Sequence, residues 1–92
     1  MSLSRAQVTD RLPAVPTDPA QLALGRAVAD RRAALDLTQE QLALRAGLHQ
    51  RWISNVENGH RNPSYSSLRR LAAGLELTAS ELIRRAERNG AR

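Results

Sequence analysis

Three side chains within "QEQLALRAGLHQRWISNVENGHRNPS", Gln39 to Ser64, have the chemistry to read a flat hydrogen-bonding edge: Gln50, Arg51 and Asn55. A side-chain amide presents a donor beside an acceptor, which matches the edge of an adenine. A guanidinium presents a fork of donors, which matches O6 and N7 of a guanine. The competing reading is plainer: three polar residues solvated on the outer face of an amphipathic helix. Other chemistries lack their parts. No nucleophile has an attendant base, and no glycine-rich phosphate loop is present. His49 and His60 stand eleven residues apart on separate elements, which is not metal-ligand spacing. The sequence is therefore expected to be no enzyme and to need no cofactor and no metal.

Size and charge narrow the partner. A chain of 92 residues makes one small domain. Such a domain buries only about 60–65% of the surface its unfolded chain exposes, so association with a second copy would help it. There is no cysteine, so neither a disulfide nor a thiolate metal site contributes. No apolar run approaches the ~18 residues of a membrane span, and none resembles a signal peptide. The expected location is the cytoplasm, at the nucleoid, with no membrane association. Net charge is +5, and all fourteen cations are arginine. An all-arginine complement suits phosphate and guanine, but a GC-rich genome produces the same bias. Placement is more telling. Residues 1–19 are neutral, and the remainder carries twelve arginines against seven acids. A basic body points to an anionic partner, nucleic acid first and anionic membrane second.

The elements that position these residues are all helices. Alanine and leucine dominate, phenylalanine is absent and β-branched residues are few. Residues 1–19, with Pro13, Pro16 and Pro19, read as an extended arm; residues 20–89 form the domain, and 90–92 a tail. No internal repeat is expected. Asp18 caps a first helix, about Pro19 to Leu35, with Leu24, Val28 and Leu35 at helical spacing, and Asp36 takes a left-handed position after it. Thr38 and Gln41 form a capping box for a second helix, Gln39 to Ala46. Gly47 breaks it, and a third helix runs from Gln50 to Asn58, with Ile53 and Val56 inward, until Gly59. Ser64 caps a fourth, Tyr65 to Leu75, and the "TASE" box from Thr78 starts a fifth, Ala79 to Arg88, with Leu82 and Ile83 inward.

Only Gly47, Leu48 and His49 separate the second and third helices. So short a turn forces a steep crossing, with small Ala43 allowing close approach and Leu42, Ala46, Leu48, Ile53 and Val56 as the seam. That is a helix-turn-helix pattern, in which the second helix enters the DNA major groove. The segments "LGRAVADRR", "LDLTQEQLALRAGL", "WISNVENGHRNPS" and "LRRLAAGLELTASELI" together resemble the Cro-like, lambda-repressor-like (XRE-type) regulators of bacteria and phages, over about Leu24 to Ile83.

The resemblance implies a compact all-α, five-helix DNA-binding domain with helices two and three as the helix-turn-helix. It assigns Gln50, Arg51 and Asn55 to base contacts. It assigns Gln39, which also braces the reading helix, to a backbone contact, together with Trp52, Asn58, Arg61, Asn62, Tyr65 and Ser66. Packing of Trp52 against the second helix is the equal alternative. Arg32 and Glu57 match an internal ion pair that orients the third helix. Two departures stand out. His49 replaces a serine or threonine cap, leaving the third helix frayed or the imidazole on a phosphate. Arg31 replaces a leucine and is expected to be exposed.

The implied function is a transcriptional regulator, a repressor, acting as a homodimer on a pseudo-palindromic double-stranded DNA site. Its dimer surface is expected from Glu76 to Leu82 and the fifth helix, and Arg84, Arg85, Arg88 and Arg92 are expected on a frayed basic end. Two alternatives share the fold. One is an antitoxin whose residues 1–19 hold a toxin partner; the other is the controller of a restriction–modification system.

Overall fold

The structure, a computed structural model, describes residues 18–90. They form five helices: α1 (Pro19–Ala34), α2 (Gln39–Ala46), α3 (Gln50–Glu57), α4 (Tyr65–Gly74) and α5 (Ala79–Gly90). Residues 1–17, to which most of the expected arm belongs, and Arg92 lie outside the described residues. Three helices stop one residue short of expectation because Leu35, Asn58 and Leu75 act as C-caps rather than last helical residues. The fifth instead overruns, through Arg88 to Gly90. Arg84, Arg85 and Arg88 therefore lie on an ordered helix and not on a frayed end. The last turn runs beside α1: a Cβ added at Gly90 would sit 3.6 Å from the Ala23 Cβ.

Local chemistry accounts for the starts. The Asp18 carboxylate accepts from the Ala20 amide at 2.9 Å, with Pro19 in the first turn. Thr38 and Gln41 make a reciprocal box: Gln41 N donates to Thr38 Oγ1 at 3.0 Å and Thr38 N to Gln41 Oε1 at 2.8 Å. Thr78 and Glu81 repeat it at 2.8 and 3.1 Å. The amide and hydroxyl of Thr78 hold the Glu81 carboxyl below the usual carboxylate range.

That repetition extends to the turn before each box. "LDLTQEQL" (35–42) and "LELTASEL" (75–82) adopt one conformation. Leu35 and Leu75 close their helices at φ −89° and −93°. Asp36 and Glu76 follow in the left-handed region at φ 61° and 62°. Leu37 N then donates to Arg32 O, and Leu77 N to Ala72 O, at 3.0 and 2.9 Å. Leucine, left-handed residue, leucine and capping threonine thus build the same corner twice.

The core lies where these corners turn the helices inward. Val28, Leu42, Ile53, Val56, Leu71, Leu75 and Leu82 are fully buried. Leu68 is half-buried against them, and Leu35 and Ile83, expected inward, are only half-buried. Two glycines set helix spacing. A Cβ on Gly25 would fall 2.4 Å from Val56 O and 2.6 Å from Glu57 O, so α1 rides directly on the backbone at the end of α3. Gly74 brings α4 against Leu42 and Ala46 of α2.

Polar groups lock the same helices. Arg32 grips Glu57 with two hydrogen bonds, Nε to Oε2 at 2.7 Å and Nη2 to Oε1 at 2.9 Å. Its Nη1 donates to Leu37 O at 2.9 Å, and Gln39 Nε2 donates to Glu57 Oε1 at 2.9 Å. The Glu57 side chain is only 7% exposed. The Glu57 hydrogen bond raises the Arg32 pKa, against the opposing effect of burial, and the carboxylate's charge adds to the rise. Arg31, expected exposed, is half-buried instead. Its Nε donates to Leu75 O at 2.9 Å, while Arg45 Nη1 donates to Gly74 O at 3.1 Å. Two arginines from α1 and α2 thereby satisfy carbonyls that the end of α4 leaves unpaired.

Three stability changes follow. Gly25→Ala forces α1 off α3 and lowers stability by about 2–3 kcal/mol, a fall of roughly 10–20 °C in thermal midpoint followed by circular dichroism. Glu76→Gly relieves the left-handed strain and stabilises by about 1 kcal/mol; its exposed pairing with Arg45 at 3.3 Å opposes this by little. An unchanged or lower midpoint would contradict that account. Arg32→Ala strands the Glu57 carboxylate and costs about 3–5 kcal/mol in urea unfolding.

Candidate nucleic-acid interface

α3 is anchored through its inner face and open on its outer one. Ile53 and Val56 are completely buried, so the opposite side of this eight-residue helix must carry whatever contacts a partner. Gln50 and Arg51 are exposed there, and Asn55 is half-buried one turn on. Their hydrogen-bonding heads lack partners among the described residues, leaving them available to an outside edge. Trp52 is half-buried and packs against the core cluster, so its ring contributes to holding α3 in place while keeping an exposed margin.

The turn before α3 is closed by the backbone. Gly47 sits at φ 69°, and Leu48 N donates to Ala43 O at 2.9 Å. The His49 side chain makes no capping bond, so the first amides of α3 remain open, as the residue type predicts. The end of α3 is the rigid part. Glu57, its last residue, is the one that Arg32 and Gln39 hold. Gln39 thus gives one amide hydrogen to the brace, and a second hydrogen remains for an outside acceptor.

The residues expected near a nucleic-acid backbone gather along the next loop. Asn58 caps α3, and Arg61, Asn62, Tyr65 and Ser66 are all exposed. Ser64 Oγ accepts from the Ser67 amide at 3.1 Å and donates to Ser67 Oγ at 3.2 Å. The preceding amides, of Tyr65 and Ser66, stand at the α4 N-terminus with no intrahelical partner, a place that favours anionic oxygen.

Charge reinforces the geometry. From Gln41 to Leu75 the one acid is Glu57, and Arg32 neutralises it. Arg51 and Arg61 in that span are exposed and enter no ion pair among the described residues. No cluster of three or more His, Asp or Glu able to hold a metal occurs among the described residues. No helix among them is long and apolar enough to cross a membrane.

Sequence reasoning overlooked three positioning residues. Gly25 carried a readable signal, a glycine in mid-helix. Arg31 and Arg45 carried none, because the carbonyls they bind belong to a helix about thirty or more positions away.

A helix-turn-helix family model matches residues 28–82, more than half of the chain. Control protein C.MunI of a Mycoplasma species is 42% identical over 53 residues, covering 58% of this chain and 72% of that protein. An uncharacterized HTH-type transcriptional regulator, y4dJ of Sinorhizobium fredii, is 40% identical over 47 residues, 51% of this chain and 61% of that one. Among solved structures, the restriction–modification controller protein C.AhdI of Aeromonas hydrophila superposes with a TM-score of 0.65 at 34% identity, over 67% of this chain and 94% of that one. The exposed face of α3, its braced end and the basic span around it belong to a member of this family: the chain is a helix-turn-helix protein, a DNA-binding transcriptional regulator.

Proposed function

We propose that the protein binds an operator as a homodimer and represses transcription there, with α3 in the major groove. Gln50, Arg51 and Asn55 read base edges. Gln39, Trp52, Asn58, Arg61, Asn62, Tyr65 and Ser66 hold the sugar–phosphate backbone. The observation that carries this reading is the division of α3 into a fully buried face and an open face bearing Gln50 and Arg51, with its C-terminal end tied to α1 and α2. Base contacts specify and backbone contacts position, and a reading helix held this firmly loses little freedom on docking.

The dimer surface is assigned to the exposed parts of Leu77, Ala79 and Ile83, flanked by Glu76 and Glu81. Leu82 makes no part of it, because its side chain is wholly inside the protomer's own core. Two such protomers would place their α3 helices one duplex turn apart, about 34–36 Å. The likeness to C.MunI and C.AhdI favours one setting for this activity, control of a restriction–modification system. Of the residues 1–19 that an antitoxin reading would use for a toxin partner, 1–17 lie outside the described residues.

The test is fluorescence anisotropy on a duplex from upstream of the protein's own gene and on a scrambled duplex. The upstream duplex is expected to bind at least about a thousandfold more tightly. Gln50→Ala and Arg51→Ala each lower affinity for the upstream duplex by about 1–3 kcal/mol and barely affect the scrambled one. Arg61→Ala weakens both alike and reduces the salt slope by about 1. Equal binding to both duplexes by the unaltered protein would count against base reading, and a monomer at micromolar concentration in sedimentation would count against the dimer.

A further inference from the structure

Arg69 and Arg70 have no part in the fold or in the interface described above. Both are exposed, and neither enters an ion pair among the described residues. α4 buries Leu71, Ala72 and Gly74 on its other side, so packing does not require these arginines. The head of Arg69, however, is aimed. Helical side chains lean toward the N-terminus, and residues four apart stack on one face. Arg69 accordingly returns over Tyr65, its guanidinium carbon 6.0 Å from the ring centroid. Arg70 occupies the equivalent position relative to Ser66. An open hollow of about 390 Å³ lies on this face, lined by Tyr65, Ser66, Arg69, Arg70 and Ala73.

The surroundings select an anion. No acid occurs from Asn58 to Leu75. The hollow adjoins the α4 N-terminus, where the helix dipole adds positive potential. A larger hollow of about 560 Å³, between α1 and α5, has Asp18 and Glu87 in its lining and no arginine. The preference therefore belongs to the α4 face and not to every concavity of a basic chain.

We propose that Arg69 and Arg70, with Tyr65 and Ser66, form a phosphate clamp that extends the DNA-backbone surface along α4 beyond the Arg61–Ser66 loop. The proposal rests on the DNA-binding reading above. Nucleic-acid phosphate fits the face better than an acidic protein does. Protein hot spots need apolar anchors sunk in pockets, whereas this face offers hydroxyls, guanidiniums and one exposed ring, the groups that contact phosphate and sugar. The face is also continuous, through Tyr65 and Ser66, with the loop that already faces the backbone. The clamp raises affinity for any duplex and adds no base preference.

The experiment measures anisotropy of a mixed-sequence duplex of roughly 30 base pairs across about 50–200 mM salt, using the full chain. The Arg69→Gln/Arg70→Gln variant is compared with wild type and with an Arg26→Gln/Arg88→Gln control that removes equal charge from α1 and α5. Loss of two phosphate contacts reduces the salt slope by about 2 per bound protomer, so over that range wild type loses more affinity than the α4 variant by about tenfold for a single bound protomer and about a hundredfold for a bound dimer. The control keeps nearly the wild-type slope. On the gene's own upstream duplex, the α4 variant retains the wild-type preference over a scrambled duplex. A wild-type slope in the α4 variant overturns the clamp, as does an equal reduction in the control, which would mean diffuse charge alone. A wild-type slope with loss of the dimer in sedimentation overturns it too, and reassigns the face to contact between copies. Failure of wild type to bind the mixed duplex even at low salt is a different result: it removes the DNA-binding reading and the clamp with it.

Discussion

A single carboxylate, Glu57, holds the arrangement of this molecule together. It ends the helix that faces the partner, and its side chain is almost entirely enclosed. A charge so placed is tolerated only when it is paired and hydrogen-bonded. Arg32 of α1 supplies two hydrogen bonds and Gln39 at the start of α2 supplies a third. The same arginine also takes the carbonyl of Leu37, inside the α1–α2 corner. Three helices and one corner are thereby fixed relative to one another by a group whose desolvation demands it. Gly25 completes the constraint from the other side, admitting the α1 backbone to the carbonyls at the end of α3. The consequence is asymmetric: α3 is uncapped and open at His49 and clamped at Glu57.

A second economy is the corner used twice. Asp36 and Glu76 both accept a left-handed backbone that costs an ordinary residue about 1–2 kcal/mol. Each corner recovers that cost by closing one helix on a buried or half-buried leucine and starting the next on a threonine capping box. The first corner sets the helix-turn-helix against α1. The second sets α5 against α1 and α4, and arginines from α1 and α2 reach across to its carbonyls. The two halves of the domain are joined through these long side chains as well as through the core.

The functional surface follows from sign and openness together. Acids are confined to the first forty residues, to Glu57 and to the segment from Glu76 onward. The α3–α4 surface, beyond the exposed Glu40 in the first turn of α2, is left with exposed arginines and with helix N-termini whose amides are unspent. In the proposed reading, specific recognition uses the directional groups of α3, and retention on the duplex uses the less selective positive surface beside it: Gln50 and Arg51 stand exposed on α3, and Arg61, Arg69 and Arg70 on the loop and α4.

Much of this was legible in the residues because its causes are local. Caps, boxes and glycine stops act within four positions, so Asp18, Thr38, Ser64 and Thr78 placed the helix starts, and Gly47 with Ile53 and Val56 placed the helix-turn-helix and its open face. The family resemblance supplied the Arg32–Glu57 pairing. What the tertiary structure alone decided depends on distance in space. Arg31 was expected exposed because it stands where the family pattern has leucine; its acceptor, Leu75 O, comes within 2.9 Å only after α4 folds back. Asp36 could be assigned its left-handed turn, but Glu76 could not, since glutamate carries no local preference for it and the second corner is held in that shape by packing. The sequence by itself determined which segments are helical and which face of α3 is free; the tertiary structure decided how rigidly that face is held, because buried charges and backbone contacts act between elements.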